Sequence, residues 1–300
     1  MRTRATTKTI GTIHRKIKIR TKFRTKNNWR RKTGSPIPVG PPIAPVIISR
    51  VPVFQPTFRR AAGAGPTRWD SPWGTVQVSG ALTEIHRKIL DAIFAEHLEE
   101  KIIEETGGRA LLIDPYQIAK TAHIDKTKPR WLLQMLQDMI DVKLTITDKT
   151  TGLQHRGTII SEFWESSRRV SMPGGALNGT RPLYVVIISG AWIKIYNTSL
   201  GMRYRNILPI LNTLSNGATH ALALHILTHS SGCFDVDDIL RHIGALRSGL
   251  TKQARSKMIK HLHQESDILA RLGIYLYTHD TTGRLMASYQ PTGEVHFRSP

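Results

Sequence analysis

The sequence predicts an α+β fold in which the same order of elements occurs twice, behind a basic and proline-rich arm. The strings Thr147–Gly152 and Thr278–Gly283 read TDKTTG and THDTTG, and each joins two segments of alternating apolar and polar residues, which is typical of a β-hairpin tip. Asp114 and Asp235 are each placed to cap a short helix ahead of these tips. The tips are 131 residues apart and the two aspartates 121, so an internal duplication with a few extra residues in the second copy explains both spacings.

The first 72 residues differ in composition from the rest of the chain. Residues 1–69 contain 17 Lys and Arg and no acid, so they carry most of the +21 net charge. Seven prolines between Ser35 and Pro56 favour an extended, polyproline-like segment and disfavour helix. We expect residues 1–72 to be a disordered basic arm and linker that binds phosphates without reading sequence. A solvated tail and an organelle presequence are the alternatives, although no amphipathic helix of the presequence type is visible.

The first predicted domain spans residues 73–180. It begins with a short strand at 75–79 and a long amphipathic helix whose apolar residues run from Leu82 to Ile102, with Thr83 as its cap. Asp114 and Pro115 mark the start of a later short helix. The remaining elements are predicted as strand, helix, helix and hairpin at 110–113, 116–122, 132–140 and 142–163.

The second predicted domain spans residues 181–300. Strands are expected at 183–189 and 192–196, and helices at 207–214, 219–228 and 236–243. Thr251 is placed to cap a longer helix whose apolar residues extend to Leu269, and a second hairpin is expected at 274–278 and 284–289.

In both units the order helix, strand, helix, helix and hairpin is that of a winged helix-turn-helix domain, so we predict two such domains in tandem. The second helix of a helix-turn-helix fits the DNA major groove, and its exposed N-terminal part reaches base edges. In the second unit this helix begins at Thr251 and is expected to turn its apolar residues inward. Its residues expected to face DNA are Lys252, Gln253, Arg255, Ser256 and Lys260.

The chemistry of these side chains suits duplex DNA. Arg255 is suited to guanine and Gln253 to adenine, whereas the lysines are suited to phosphate. Arg284, in the hairpin that forms the wing, is expected to contact a phosphate or the adjacent minor groove. A solvated basic helix face is the alternative, but here the basic face falls on the element that the topology nominates.

In the first unit the basic residues crowd the start of the corresponding helix, where backbone amides also favour phosphate: Lys126, Lys128 and Arg130. The rest of that helix suits DNA less well, so fewer base contacts are expected. The long first helix carries the glutamates Glu96, Glu99, Glu100, Glu104 and Glu105. We expect this acidic surface to be solvated or to face protein, and formation of a homodimer through it is a hypothesis.

The two-domain pattern resembles the plasmid replication initiators that bind iterons, and the stretch from Trp73 to Ile93 is similar to the opening of the first winged helix in broad-host-range initiators of the TrfA kind. The resemblance implies binding to repeated origin sites in double-stranded DNA, local duplex opening, and recruitment of a host helicase and a host initiator. It also implies a cytoplasmic, DNA-associated protein of a bacterium. A winged-helix transcriptional repressor is the alternative.

A metal-dependent DNA-nicking enzyme, of the rolling-circle or relaxase type, is the third function considered. His261-Leu-His263 matches the metal-binding string of such enzymes, and Tyr275 and Tyr277 follow it. That chemistry needs both histidines on one face of a strand, whereas here the string lies in a helical pattern, where residues two apart point about 200° around the axis. The sequence therefore predicts no catalytic residue, no metal site and no cofactor, and its lack of a P-loop argues against ATP-driven melting.

Composition excludes other classes of protein. The one cysteine, Cys233, rules out an intrachain disulfide framework and favours a reducing, intracellular setting. The apolar stretches are too short to cross a membrane, and the basic N-terminus lacks the apolar core of a secretory signal.

Overall fold

The structure, a computed structural model, describes residues 30–31, 43–58, 67–124, 129–172, 179–247, 250–293 and 295–298. The first elements are β1 (Arg30–Arg31), β2 (Ile43–Pro45), α1 (Val46–Arg50) and β3 (Thr67–Asp70). They are followed by β4 (Gly74–Ser79), α2 (Glu84–Glu96), β5 (Glu99–Ile103), β6 (Gly108–Ile113), α3 (Pro115–Thr121), α4 (Pro129–Asp141), β7 (Lys143–Asp148), β8 (Gln154–Gly157), β9 (Ile160–Ser171), β10 (Thr180–Ile188) and α5 (Gly190–Thr198).

The remaining elements are β11 (Gly201–Arg203), α6 (Leu208–Leu211), α7 (Gly217–Ile226), β12 (Gly232–Asp235), α8 (Val236–His242), α9 (Lys252–Gln264), α10 (Ser266–Arg271), β13 (Ile274–Thr278), β14 (Leu285–Tyr289) and β15 (His296–Arg298). Within the described residues these strands form four sheets, with the orders β1-β5-β6-β10-β9, β3-β4-β7-β8, β15-β11-β2 and β12-β14-β13. The strands pair antiparallel in each sheet, and the fold is α+β, as predicted.

Apolar side chains collect into two main cores. The first gathers residues of α1, β4, α2, β6, α3, α4, β7 and α5, with Leu90 and Leu136 among its most buried members. The second lies between α7, α8, α9 and the sheet β12-β14-β13, with Leu224 and Ala287 fully buried in it.

Part of the predicted arm belongs to these cores. Ile47, Val53 and Phe54 are buried in the first core, and Ala44 and Val46 in the second. The apolar run after Pro45 forms α1, because a proline immediately before a helix removes no helical hydrogen bond. The prediction that residues 1–72 are a disordered arm is therefore wrong for 43–58 and 67–72. Apart from β1, the rest of the arm lies outside the described residues.

The long first helix is shorter than predicted. It begins after Thr83, as expected, but α2 ends at Glu96, and the chain then returns as β5, which pairs with β6. Ile102 matched the helical spacing, yet on the strand its side chain is exposed. The glutamates that were expected to share a helix face beyond Glu96 lie on β5 and in the turn after it: Glu99, Glu100, Glu104 and Glu105. The acidic helix, which was the reason for the dimer hypothesis, does not form.

The segment 192–196 is a helix and not the predicted strand. The Ser189 hydroxyl accepts a hydrogen bond from the backbone N–H of Trp192 at 3.1 Å and so caps α5. Trp192 and Ile195 then bury against the first core. The predicted boundary between residues 180 and 181 consequently separates β10 and α5 from the sheet and the core to which they belong.

The first hairpin is also shorter than predicted. β7 pairs with β8, but after Gly157 the chain leaves this sheet, and β9 pairs with β10 in the five-stranded sheet. The strand β6 lies in that five-stranded sheet as well. In the first unit, therefore, β6 belongs to one sheet and the hairpin β7–β8 belongs to another.

The second unit agrees more closely with the sequence prediction. Asp235 caps α8 and Thr251 caps α9, and β13 and β14 form the predicted hairpin. The predicted single long helix is divided at Glu265 into α9 and α10. Glu265 is buried, and its Oε1 accepts hydrogen bonds from the backbone N–H and the hydroxyl of Ser215, so the break in the helix secures the segment before α7.

One face of α2 carries buried charged residues that connect the two cores. Lys88 Nζ donates hydrogen bonds to the carbonyl oxygens of Asn212 and Leu214, at 2.8 and 2.7 Å. Glu84 Oε2 and His220 Nδ1 share a hydrogen bond of 2.7 Å. Burial raises the pKa of the Glu84 carboxyl to about 8 and lowers the pKa of the Lys88 ammonium to about 8. Because a buried polar group is costly without its partner, these contacts hold the two cores in one arrangement.

An aromatic contact joins the same two parts of the chain. Trp73, in the turn between β3 and β4, packs edge-on against the rings of His225 and His242, with centroids 5.1 and 4.8 Å apart. The Arg50 guanidinium lies 5.6 Å from the centroid of Trp73. Burial, together with His229, His242 and Arg50, lowers the pKa of His225 to about 3. His225 is therefore neutral in this contact at neutral pH.

No helix within the described part of the chain has both the length and the apolar character needed to cross a membrane.

Candidate nucleic-acid interface

Helix α9 turns one face towards the second core and leaves the other in solvent. The Thr251 hydroxyl accepts a hydrogen bond from the backbone N–H of Ala254 at 3.2 Å, which begins the helix. Leu262 is fully buried, and Met258 and Ile259 pack partly buried against the second core. All five residues of α9 predicted to face outward are exposed: Lys252, Gln253, Arg255, Ser256 and Lys260.

Sequence reasoning missed one member of this surface. Lys257 is exposed on the same helix, next to Ser256 and three residues before Lys260. The helical spacing of Met258, which is partly buried, and of Leu262, which is fully buried, was sufficient to place it outward. Within the described residues, neither Lys257 nor the lysines at 252 and 260 take part in an ion pair, so their charge is available to an external anion.

The start of α8 lies against this surface and brings three carboxylates with it. Asp235 Oδ1 accepts hydrogen bonds from the backbone N–H groups of Asp237 and Asp238, at 2.8 and 3.3 Å, as expected of a helix cap. Each of the three aspartates also pairs with an arginine: Asp235 with Arg284, Asp237 with Arg255 and Asp238 with Arg241. The sequence indicated the caps but not these pairs.

Arg255 makes the most extensive of these contacts. Its Nη2 donates to Asp237 Oδ2 at 2.6 Å, and its Nε lies 3.2 and 3.1 Å from Oδ1 and Oδ2. The side chain of Arg255 remains 49% exposed and that of Asp237 only 23%, so the carboxylate is the less exposed partner. A bidentate ion pair of this kind fixes the plane of the guanidinium.

Arg284 ties the hairpin to α8. Its Nη1 donates to Asp235 Oδ2 at 3.1 Å, while the other oxygen of that carboxylate caps the helix. The Arg284 side chain is 69% exposed, so it keeps most of its donors free. Asp235 thus contacts both α8 and the hairpin β13–β14, which is the predicted wing.

The first unit offers fewer free groups at the corresponding place. Lys126 and Lys128 lie outside the described residues, and Arg130 is exposed in the first turn of α4. Farther along α4 the amide nitrogens of Gln134 and Gln137 donate to the carboxylates four residues later, at 3.1 and 2.8 Å. These amides are engaged within the helix.

The residues of the nicking hypothesis do not converge on one site. His261 and His263 lie in α9, where side chains two residues apart point in different directions. Tyr275 and Tyr277 are exposed on β13, and a hydrogen bond with Cys233 raises the pKa of Tyr277, which opposes the ionisation that a nucleophile needs. Within the described ranges no group of three or more His, Cys, Asp or Glu side chains is placed to hold a metal ion.

Comparison with known proteins adds no assignment: no protein-family model matches the chain, and no curated protein matches it.

Proposed function

We propose that this chain binds duplex DNA sequence-specifically through α9 and acts in the initiation of plasmid replication at repeated origin sites. The observation that carries the proposal is the exposed basic and polar face of α9, on the third helix of the series α7, α8, α9. The elements from α7 to β14 follow the order helix, strand, helix, helix and hairpin when α9 and the short α10, which are separated only by Glu265, are counted as one broken helix. The strand β12 pairs with β14 of the hairpin. This arrangement supports the proposal that residues 217–289 are a winged helix-turn-helix domain.

The side chains of α9 make two kinds of contact with DNA, according to their chemistry. The lysines at 252, 257 and 260 neutralise phosphates, which supplies affinity without sequence information. Arg255 and Gln253, nearer the start of the helix, reach base edges in the major groove. Arg284 contacts a phosphate beside the groove.

The first unit has a smaller part in this proposal. Its helix α4 presents Arg130 at the start, but its glutamines are bonded within the helix. Its hairpin and the strand β6 belong to different sheets, so its resemblance to the second unit is weaker than the sequence repeat suggests. We propose that it adds phosphate contacts and holds the second unit in place.

The role in replication rests on the resemblance of the stretch 73–93 to iteron-binding initiators. Initiators of this kind recruit a host helicase and a host initiator, and we extend that expectation to this chain. The proposal assigns it no catalytic residue.

The test begins with selection from a random duplex library by the full chain. An enriched sequence that recurs as direct repeats in the DNA flanking the gene, together with replication of a plasmid carrying that DNA only when the gene is supplied, is the expected result. Enrichment and footprinting without replication would assign the chain to the repressors. Failure to enrich any sequence, with equal affinity for all duplexes, would show that sequence-specific binding is wrong.

A further inference from the structure

We propose that Asp237 positions the Arg255 guanidinium for base recognition and so determines the specificity of the interface without touching DNA. The inference rests on the proposed function, because it assigns a role within the α9 surface. It concerns a residue of α8, 18 positions before the arginine that it contacts.

The contact occupies one edge of the guanidinium and leaves another free. An arginine has five N–H donors, arranged so that a carboxylate or a base can be bound in bidentate fashion along more than one edge. Asp237 takes the edge formed by Nε and Nη2, at 3.1 and 2.6 Å from Oδ2. The edge formed by Nη1 and the second hydrogen of Nη2 has no partner among the described residues, and its two donors suit the two acceptors of one guanine, O6 and N7.

Asp237 is itself held firmly enough to act as a support. Its backbone N–H donates to Asp235 Oδ1 at 2.8 Å, in the first turn of α8, where the helix dipole favours a carboxylate. Its side chain is less exposed than that of Arg255. The other two arginines of the cluster are held differently, since Arg284 has one hydrogen bond to Asp235 and Arg241 pairs within its own helix.

Loss of this support has opposite consequences for cognate and for unrelated DNA. An arginine without it samples many rotamers and must be ordered on binding, which weakens the contact with one particular base. The same freedom lets it reach any nearby phosphate, and removal of the carboxylate also removes a repulsion of the backbone. We therefore expect Asp237→Asn to lower affinity for the cognate site relative to unrelated DNA.

The experiment uses the full chain and the duplex selected by the wild-type protein, variants of that duplex with one base pair changed at a time, and a scrambled duplex of the same composition. Asp267→Asn is the matched control, because it removes the same charge from an exposed residue of α10. The expected result is that Asp237→Asn reduces discrimination at a single G·C pair by about three- to tenfold, whereas Asp267→Asn leaves it unchanged. Arg255→Ala identifies the pair, and in the Arg255→Ala background Asp237→Asn has no further effect on discrimination there.

Two results would overturn the inference. Asp237→Asn could raise affinity for the selected duplex with discrimination intact, which would make Asp237 a competitor of DNA, or it could match Asp267→Asn at every base pair. Both presuppose a wild-type protein that selects a sequence. Failure of the wild-type selection would instead reject the proposed function, so the two failures are distinguishable.

Discussion

Deleting residues 1–42 and deleting residues 1–58 are expected to have very different results, although both remove most of the basic arm. Residues 1–42 contain 13 Lys and Arg and no acid, and β1 is the only element they contribute to the described structure. Residues 43–58 add one further basic residue, Arg50, together with a run of buried apolar side chains. The first deletion therefore changes mainly charge, and the second changes the cores.

The cost of the second deletion follows from burial. The side chains removed from the cores are Val46, Ile47, Ile48, Val51, Val53 and Phe54, none of which is more than 6% exposed. Full burial of such a side chain contributes about 1.5–3 kcal/mol, so the six together contribute about 9–18 kcal/mol. A domain of ordinary size has about 5–15 kcal/mol of net stability, so the protein lacking 1–58 should not fold.

Denaturant unfolding and salt-dependent DNA binding test the two deletions. The protein lacking 1–42 should unfold at the same denaturant midpoint as the full chain. The slope of log binding constant against log salt concentration should become less steep by about 0.9 for each phosphate that the arm no longer neutralises. Phe54→Ala is the complementary variant, because it keeps every charge and should cost about 3–5 kcal/mol. The reasoning would be refuted if deletion of 1–58 left the midpoint unchanged, or if deletion of 1–42 prevented folding.

Three further predictions test other parts of the structure. Arg255→Ala should lower the free energy of unfolding by less than about 1 kcal/mol, because its ion pair is exposed. It should also reduce discrimination between bases by about 1–3 kcal/mol. An equal reduction in affinity for every duplex would mean that α9 contacts only phosphate. Gly217→Ala should destabilise by about 1–3 kcal/mol despite the better helix propensity of alanine, because the new methyl would lie 2.5 Å from the Thr57 Cα; a gain in stability would contradict the packing of 43–58 on α7. The pKa of His225 is lowered to about 3 by burial, so its contribution to stability is complete above about pH 6.5 and is lost as the pH falls, by up to about 1.4 kcal/mol per pH unit. His225→Gln should therefore make the dependence of unfolding free energy on pH shallower between about pH 6.5 and 4, whereas the exposed control His263→Gln should not.

Features set by a few neighbouring residues were predictable from the sequence. The caps Asp114, Asp235 and Thr251 accept hydrogen bonds from backbone groups two or three residues ahead, and all three begin the helices expected of them. The outward positions of Lys252, Gln253, Ser256 and Lys260 on α9 followed from the spacing of its apolar residues, Met258 and Leu262 among them. These are local properties, which distant contacts did not override.

Features set by distant partners were not predictable. The alternating residues 192–196 have the composition of a strand, but burial of Trp192 and Ile195 in the first core favours a helix there. The apolar run after Pro45 forms α1 because Val46 is buried in the second core and Ile47 and Ile48 are buried in the first. The pair of Asp237 with Arg255 joins residues 18 positions apart across two helices, and no sequence spacing indicates it.

Photocrosslinking from the two ends of α9 would show directly whether the start of this helix reads DNA. Gln253 and Gln264 are both exposed and lie at its first and last turns, so each can be replaced by p-benzoylphenylalanine as a matched pair. If the start of α9 reads the major groove, the probe at 253 crosslinks to the selected duplex within the enriched sequence, and the probe at 264 does not. Crosslinking from 264 alone, or equal crosslinking from both with no preference for the enriched sequence, would contradict the assignment of α9 as the DNA-reading helix.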